Sequence, residues 1–265
     1  MNPRVLVTLA LFGAPVCLRP AVFTAKLQEN TVAAFDRYVQ RFEGQNRESR
    51  PLLDTRGSEL ALMDLNPEGG DGGEAAPGGY IHHWIGAIRI PDTTVASVES
   101  VLSDYDHWTK IYAPDVKLAA ATPTGRDAAV RTYDLRMVTE SSQGFLRFAF
   151  DSRYHVKFYH ASDFALVDSR SYRIRESNSG KPPYDDLLPE GNDHGILWRL
   201  NSYWRLKQIG TSVYAECQVI SLSRKPLVGT RDMVKARAKE SLANTLRQTA
   251  DRPAIAGGHE AERRL

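Results

Sequence analysis

The stretch ILWRLNSYWRLKQIGTSVYAECQVISLS, residues 196–223, predicts a β-hairpin near the end of this chain. Its two strands, Ile196 to Gln208 and Ser212 to Ser223, meet at a turn that contains Gly210. Successive side chains of the first strand must point to opposite faces of the sheet. Both faces carry aromatic residues, because Trp204 lies on one and Tyr203 on the other. The pattern therefore predicts a strand and leaves open which face points inward.

Outward from this hairpin, the chain shows more strands and three amphipathic helices. Further strands are predicted at Leu60 to Leu65, Ile81 to Ile90, Val116 to Thr122, Ala129 to Thr139, Phe145 to Tyr159 and Phe164 to Arg175. Helices are predicted at Asn30 to Glu43, around Val95 to Leu102, and at Val228 to Arg252. The element order is strand, helix, a run of strands and a long final helix.

This order predicts an α+β fold in which a curved antiparallel sheet wraps around a long C-terminal helix. Consecutive strands that are joined by short turns pair antiparallel. The apolar face of such a sheet must be covered, and the final helix is long enough to cover it. A curved sheet and a single helix need not fill the space between them, so we expect a cavity there.

Four regions are predicted along the chain. Residues 1–25 resemble a signal peptide, because Arg4 precedes an apolar run from Val5 to Leu18 that is short for a membrane span. We therefore expect an exported protein, periplasmic or secreted. Residues 26–79 contain the first helix and a glycine-rich linker, residues 80–252 form the main domain, and residues 253–265 form a disordered tail.

Composition excludes several classes of protein. The chain has 265 residues, 42% of them hydrophobic, and a formal net charge of only +2. The basic residues are scattered, so we expect no nucleic-acid partner. Its two cysteines cannot support a disulfide framework. Cys217 is predicted to be a buried apolar residue.

Several stretches resemble bacterial members of the START/Bet v 1-like (SRPBCC) superfamily, the branch labelled polyketide cyclase and lipid transport. They are GNDHGILWRLNSYWR at 191–205, VYAECQVISLSR at 213–224, ESLANTL at 240–246, and WIGA at 84–87 followed by DYD at 104–106. The resemblance covers roughly Tyr80 to Arg252. It differs at residues 225–232, KPLVGTRD, where the approach to the last helix is shorter and more charged than in such relatives.

The resemblance implies a helix-grip fold with an internal cavity for a lipid or another apolar small molecule. It implies no cofactor and allows a transient membrane contact. Members of the superfamily include binding proteins and a minority of enzymes. The alternatives to a carrier are therefore a cyclase- or dehydratase-type enzyme that uses the same cavity, and an interaction module with a filled interior.

The sequence carries few signals of a catalytic site. The sequence has no nucleophile motif and no glycine-rich phosphate loop after a strand. His82 and His83 are adjacent on a strand and must face opposite sides, so they cannot both bind one metal ion. Glu216 beside Arg199 or Arg205 is interpreted as a cross-strand ion pair or as an acid/base group. His83 and Tyr203 are the other acid/base candidates.

Ligand contacts are expected from aromatic side chains on the strands and from polar groups placed among them. The polar groups on the Tyr203 face would hold one carbonyl or acidic end of an apolar ligand. The predicted ligand-binding residues are Trp84, Tyr133, Phe148, Tyr154, Trp198, Asn201, Tyr203 and Arg205. We expect binding or transport without catalysis.

Overall fold

The computed structural model describes residues 25–44, 51–55, 60–66, 76–127, 130–143, 146–225 and 231–262. The strands in these ranges are β1 (Ala25–Lys26), β2 (Ala61–Asp64), β3 (Gly79–Ile90), β4 (Val116–Arg126), β5 (Val130–Gln143), β6 (Leu146–His160), β7 (Phe164–Glu176), β8 (Asn192–Asp193), β9 (Arg199–Ile209) and β10 (Ser212–Arg224). The helices are α1 (Glu29–Glu43), α2 (Val95–Ser103), α3 (Trp108–Ile111) and α4 (Arg231–Glu262), with a 3-10 turn at Tyr105–His107.

In the described part of the chain, the strands form one curved eight-stranded antiparallel sheet and a separate two-stranded pair. The large sheet has the order β2-β3-β10-β9-β7-β6-β5-β4, and β1 pairs with β8. Each predicted strand is present, and its ends shift by a few residues. The predicted α+β class, with a curved antiparallel sheet and a long C-terminal helix, is confirmed.

Helix α4 packs on one face of the sheet, which we call the inner face. Its Leu242 and Leu246 are buried in the main core with Trp84 and Trp204. Gly86 on β3 permits this close approach, because a Cβ atom there would lie only 2.5 Å from Leu246 Cδ1. The predicted apolar stripe of the last helix is therefore the stripe that meets the sheet.

Helix α1 covers the opposite face, which we call the outer face. Phe35, Val39 and Phe42 of α1 are buried in a second core together with Ile220 and Tyr203 of the sheet. Both faces of the central strands are thus buried. This arrangement explains why β9 carries aromatic residues on both faces.

One predicted boundary needs correction. Helix α4 continues to Glu262, whereas we predicted an end at Arg252 and a disordered tail from residue 253. Apart from Ala25, the predicted signal segment lies outside the described residues, as do residues 67–75 of the predicted glycine-rich linker.

Within the described ranges, the helices lack the combination of length and apolar character that a membrane span requires.

Candidate functional site

A cavity of about 430 Å³ lies between the inner face of the sheet and the helices α2, α3 and α4. This volume is within the usual range for small-molecule sites. Most of the lining is apolar, and the aromatic residues in it are Trp84, Tyr105, Trp108, Tyr112, Phe148, Phe150, Tyr154 and Trp204. The expected hollow between sheet and helix is therefore present, and the alternative of a filled interior is wrong.

Strand alternation decides which side chains reach the cavity. On β9, Leu200, Ser202 and Trp204 line it, whereas the residues between them point to the outer face. On β6 the same period places Phe148, Phe150, Tyr154 and Val156 inside. The short 3-10 turn and α3 add Tyr105 and Trp108 to the lining.

Small polar side chains leave room at the floor of the cavity. Ser169 on β7 lies directly opposite Ser202 on β9, and Ser202 lies opposite Val219 on β10. All three residues line the cavity. A serine fills much less space than the neighbouring tryptophans, so this row contributes to the open volume.

His82 on β3 is the histidine of the lining. Its side chain is buried, with 6% relative exposure, and its Nε2 lies 3.0 Å from Ser223 Oγ. Burial lowers the pKa of His82 to about 4, and nearby Asp64 and Lys235 act in opposite directions on it. The imidazole is therefore neutral at neutral pH.

This lowered pKa predicts acid sensitivity. In the unfolded chain His82 has its ordinary pKa of 6.5, so the unfolded state takes up a proton first as the pH falls. Between about pH 6.5 and pH 4, stability should fall by about 3 kcal/mol through this group. Urea unfolding of wild type and His82→Phe across that window measures it. Equal pH dependence in the two proteins would contradict the prediction.

Polar residues line the more exposed side of the cavity, which we call the rim: Asp115, Glu140, Ser141, Arg237 and Gln248. Arg237 Nε donates to Ser141 Oγ at 3.1 Å and joins α4 to β5. Gln248 Nε2 donates to the carbonyl oxygen of Ala113 at 2.8 Å. These bonds connect the helix to the wall beside the opening.

Three of the predicted ligand-binding residues, Trp84, Phe148 and Tyr154, line the cavity. A fourth, Tyr133, lies behind the lining. Its ring packs edge-on against Tyr105 and Phe158, at centroid distances of 5.6 and 5.8 Å. The structure thus brings three of the eight predicted residues together in the cavity wall, and their role toward a ligand stays a prediction.

Asn201, Tyr203 and Arg205 lie on the outer face, so our prediction that they contact the ligand is corrected. Tyr203 donates to Glu43 of α1 at 2.6 Å, and Asn201 donates to Tyr203 at 3.2 Å. The alternation correctly predicts which residues share a face. It does not predict that α1 buries the Tyr203 face and that α4 packs on the other. Tyr203 therefore fixes α1 to the sheet, whereas Arg205 donates to the carbonyl oxygen of Pro51 at 3.3 Å.

Trp198 is also outside the cavity, for a different reason. Strand β9 begins only at Arg199, so the period that we extended back to Ile196 does not hold for Trp198. Its indole is buried beside α1 in the second core, and Nε1 donates to Asp193 Oδ1 at 3.0 Å. Ile196 and Leu197, which flank the strand, both line the cavity.

The acid/base candidates Glu216 and His83 also lie on the outer face, as does Tyr203. Glu216 accepts a hydrogen bond from Arg205 Nη2 at 2.7 Å and one from the Tyr214 hydroxyl at 2.8 Å. Arg199 instead pairs with Glu190. The cross-strand ion pair is confirmed with Arg205, and acid/base work in the cavity by these three groups is contradicted by their placement.

The two adjacent histidines face opposite sides, as predicted. His83 contacts the Tyr38 hydroxyl of α1 at 3.0 Å, whereas His82 lines the cavity. Among the described residues, histidine, cysteine and acidic side chains form no group of three that could hold a metal ion. Cys217 is fully buried in the cavity wall, and burial raises the pKa of its thiol.

His82 and Trp204 line the cavity and were not predicted to do so. His82 could have been identified, because it lies two residues from Trp84 and therefore on the same face of β3, and Trp84 was predicted to contact the ligand. Trp204 lies on the face of β9 that we did not choose. Neither residue can be assigned to the cavity until it is known which helix covers which face of the sheet.

Comparisons with known proteins find similarity in structure alone. No protein-family model matches the chain, and no curated protein matches its sequence. Human STARD10 aligns at 11% identity over 92% of this chain and 89% of its own, with a TM-score of 0.49. A STAR-related lipid transfer protein fragment from Xanthomonas axonopodis aligns at 16% identity over 75% and 99%, with a TM-score of 0.43. The Zhui aromatase/cyclase from a Streptomyces species aligns at 9% identity over 66% and 94%, with a TM-score of 0.41.

The fold is assigned from the topology of the chain itself. Helices precede a long antiparallel run of strands, and the final helix lies on the inner face of the curved sheet that they form. By this architecture the chain has a helix-grip fold.

Proposed function

We propose that this protein binds an apolar, lipid-like small molecule in the cavity and carries it without chemical change. The observation that carries the proposal is the 430 Å³ space between sheet and α4, with its aromatic lining. Such sites combine a mostly apolar wall with a few placed polar groups. The lining of this cavity has that composition.

The energy available supports reversible carriage. A ligand that buries about 300 Å² of apolar surface gains about 7 kcal/mol at about 25 cal/mol per Å². Association costs reduce this gain. Moderate affinity is what a carrier needs, because a carrier must also release its ligand.

The placement of ionisable groups favours carriage over a cyclase-type reaction. Asp115, Glu140 and Arg237 belong to the rim, and each already has a partner. Arg237 pairs with Asp115 and donates to Ser141, and Glu140 accepts a hydrogen bond from the Tyr184 hydroxyl. His82 lies on β3, with four strands between it and β5, which carries the rim residues Glu140 and Ser141. Its pKa of about 4 makes it a weak base. A reaction would need a stronger acid/base group in the cavity.

The apolar run at Val5 to Leu18 supports the proposal that carriage occurs outside the cytoplasm. N-terminal sequencing of the mature protein tests this part. A retained Met1 in a cytoplasmic fraction would contradict it.

Native mass spectrometry of the purified full chain tests binding. We expect wild type to carry a bound species that delipidation removes and that a total lipid extract restores. A matched control is the cavity-filling variant Ser202→Trp, which should carry none. A wild-type protein with no adduct before or after exposure to the extract would overturn the proposal.

A further inference from the structure

Helix α1 covers the outer face of the sheet only in part. The core beneath it contains Ile81 of β3, Tyr203 of β9 and Ile220 of β10. Farther along the sheet, on β7, β6 and β5, the basic side chains of the same face are exposed or half-exposed: Arg136, Arg153, Lys157, Arg170 and Arg173. Their place on this face follows from strand alternation, since residues beside them in sequence, such as Leu135 and Ser169, line the cavity.

Three of these residues, Arg136, Arg153 and Arg173, lie directly opposite one another on neighbouring strands, and we call them the arginine row. Like charges in this position repel each other. Asp151 offsets part of the repulsion, because Arg136 Nη2 donates to its Oδ2 at 2.7 Å and Arg153 Nε lies 3.6 Å from its Oδ1. Arg173 and Lys157 are exposed, and neither forms an ion pair with a described residue. Three guanidinium groups therefore share one carboxylate.

The other acids of this face offset its charge only in part. Asp168 is buried and lies 3.7 Å from Arg170, which also pairs with Glu43 of α1 at 2.8 Å. Asp134 is half-exposed and contacts His155 Nδ1 at 2.7 Å. Asp151 is buried like Asp168, so two of these acids lie beneath exposed basic side chains. Solvent therefore meets mostly positive charge here, although the whole chain has a formal net charge of only +2.

Tyr172, next to Arg173, adds an aromatic ring to this surface. Its relative exposure is 44%, and its ring stacks on His155 at a centroid distance of 4.4 Å. An exposed tyrosine among basic residues suits the headgroup layer of an anionic membrane, which attracts lysine and arginine and accommodates amphipathic rings. A single-stranded nucleic acid would need several free rings for its bases, whereas His155 already occupies one side of this ring.

We propose that the arginine row and Tyr172 dock the protein on a membrane surface that carries anionic phosphate headgroups. Guanidinium groups suit phosphate because they can donate two parallel hydrogen bonds to it. The rim residue Glu140 lies on the same strand as Arg136, about 14 Å away at about 3.4 Å per residue, so the opening of the cavity lies beside the docked face. The inference goes beyond the proposed function, because docking needs no ligand in the cavity.

Flotation of the purified full chain with vesicles tests the docking. Wild type should bind vesicles of phosphatidylcholine mixed with phosphatidylglycerol, and not vesicles of phosphatidylcholine alone. Each basic residue near an anionic surface contributes a factor of about five in affinity, so Arg173→Gln should bind about fivefold more weakly and Arg173→Gln/Lys157→Gln about 25-fold. Added salt should release wild type, since it screens exposed charges.

The matched control is Arg247→Gln, which removes an exposed arginine from α4 on the other side of the sheet. It should bind anionic vesicles as wild type does. Circular dichroism and titration with 1-ethylpyrene, an apolar fluorescent probe for the cavity, check that each variant is folded. The cavity-filling variant Ser202→Trp should also dock as wild type does, so that a failure of docking and a failure of the proposed function are observed separately.

Three results would overturn the proposal. The first is a wild-type protein that binds neither kind of vesicle or binds both equally. The second is an equal loss in Arg173→Gln and Arg247→Gln, which would attribute binding to net charge alone. The third is tighter binding of a single-stranded oligonucleotide or an acidic peptide than of anionic vesicles, which would assign the face to another partner.

Discussion

Ser202→Trp should abolish most ligand binding while leaving the fold intact. Ser202 lies at the floor of the cavity, opposite Ser169 and Val219 on the neighbouring strands. An indole there would occupy space that the ligand needs. If it excludes about 100 Å² of apolar ligand surface, the loss is about 2.5 kcal/mol, or roughly 70-fold in affinity. Fluorescence titration with 1-ethylpyrene measures this change.

The control for this variant is Lys207→Trp. Lys207 lies on the same strand but is exposed and faces away from the cavity. It should bind the probe as wild type does. Equal affinities of Ser202→Trp and Lys207→Trp, with both proteins folded by circular dichroism, would show that the probe binds elsewhere.

Arg205→Met should cause the largest loss of stability among single changes on this strand. Arg205 and Glu216 are both almost fully buried, with side-chain exposures of 3% and 2%, and their closest atoms are 2.7 Å apart. Removal of the arginine leaves a buried carboxylate without its cation. Such a loss costs about 3–5 kcal/mol, which urea unfolding at pH 7 measures.

The double variant Arg205→Met/Glu216→Gln provides the matched control. The glutamine removes the stranded charge and retains an oxygen for the hydroxyl of Tyr214. It should recover a large part of the lost free energy of unfolding. A double variant that is less stable than Arg205→Met would contradict the assignment of the loss to the unpaired carboxylate.

The two variants also separate the faces of strand β9. Ser202 belongs to the cavity, and Arg205 belongs to the buried ion pair on the outer face. We expect Ser202→Trp to change affinity with little change in stability, and Arg205→Met to do the reverse. This division follows from the pleat, which sends alternate side chains to opposite faces.

Much of this fold could be predicted from local pattern. The strands were found because their side chains alternate with a period of two, and α1 and α4 because apolar residues recur at helical spacing. The opposition of His82 and His83 follows from the same alternation. Turn residues such as Gly210 indicated that neighbouring strands pair antiparallel. Each of these inferences needs only residues that are close in sequence.

The candidate site could be predicted only in part. Trp84, Phe148 and Tyr154 were placed correctly on a cavity wall, whereas Asn201, Tyr203 and Arg205 were assigned to the wrong face. Aromatic residues occur on both faces of β9 because both are buried, one by each helix. Composition could therefore not distinguish the ligand side from the side that packs against α1.

By itself, the sequence determined the elements, their order and the two sets of side chains on each strand, since these depend on local geometry. Tertiary structure alone decided which set faces the cavity. That choice depends on long-range packing: Gly86 admits Leu246 of α4 to the inner face, and Phe42 of α1 packs against Tyr203 on the outer one. The same packing places His82 in the cavity wall and His83 against Tyr38 of α1.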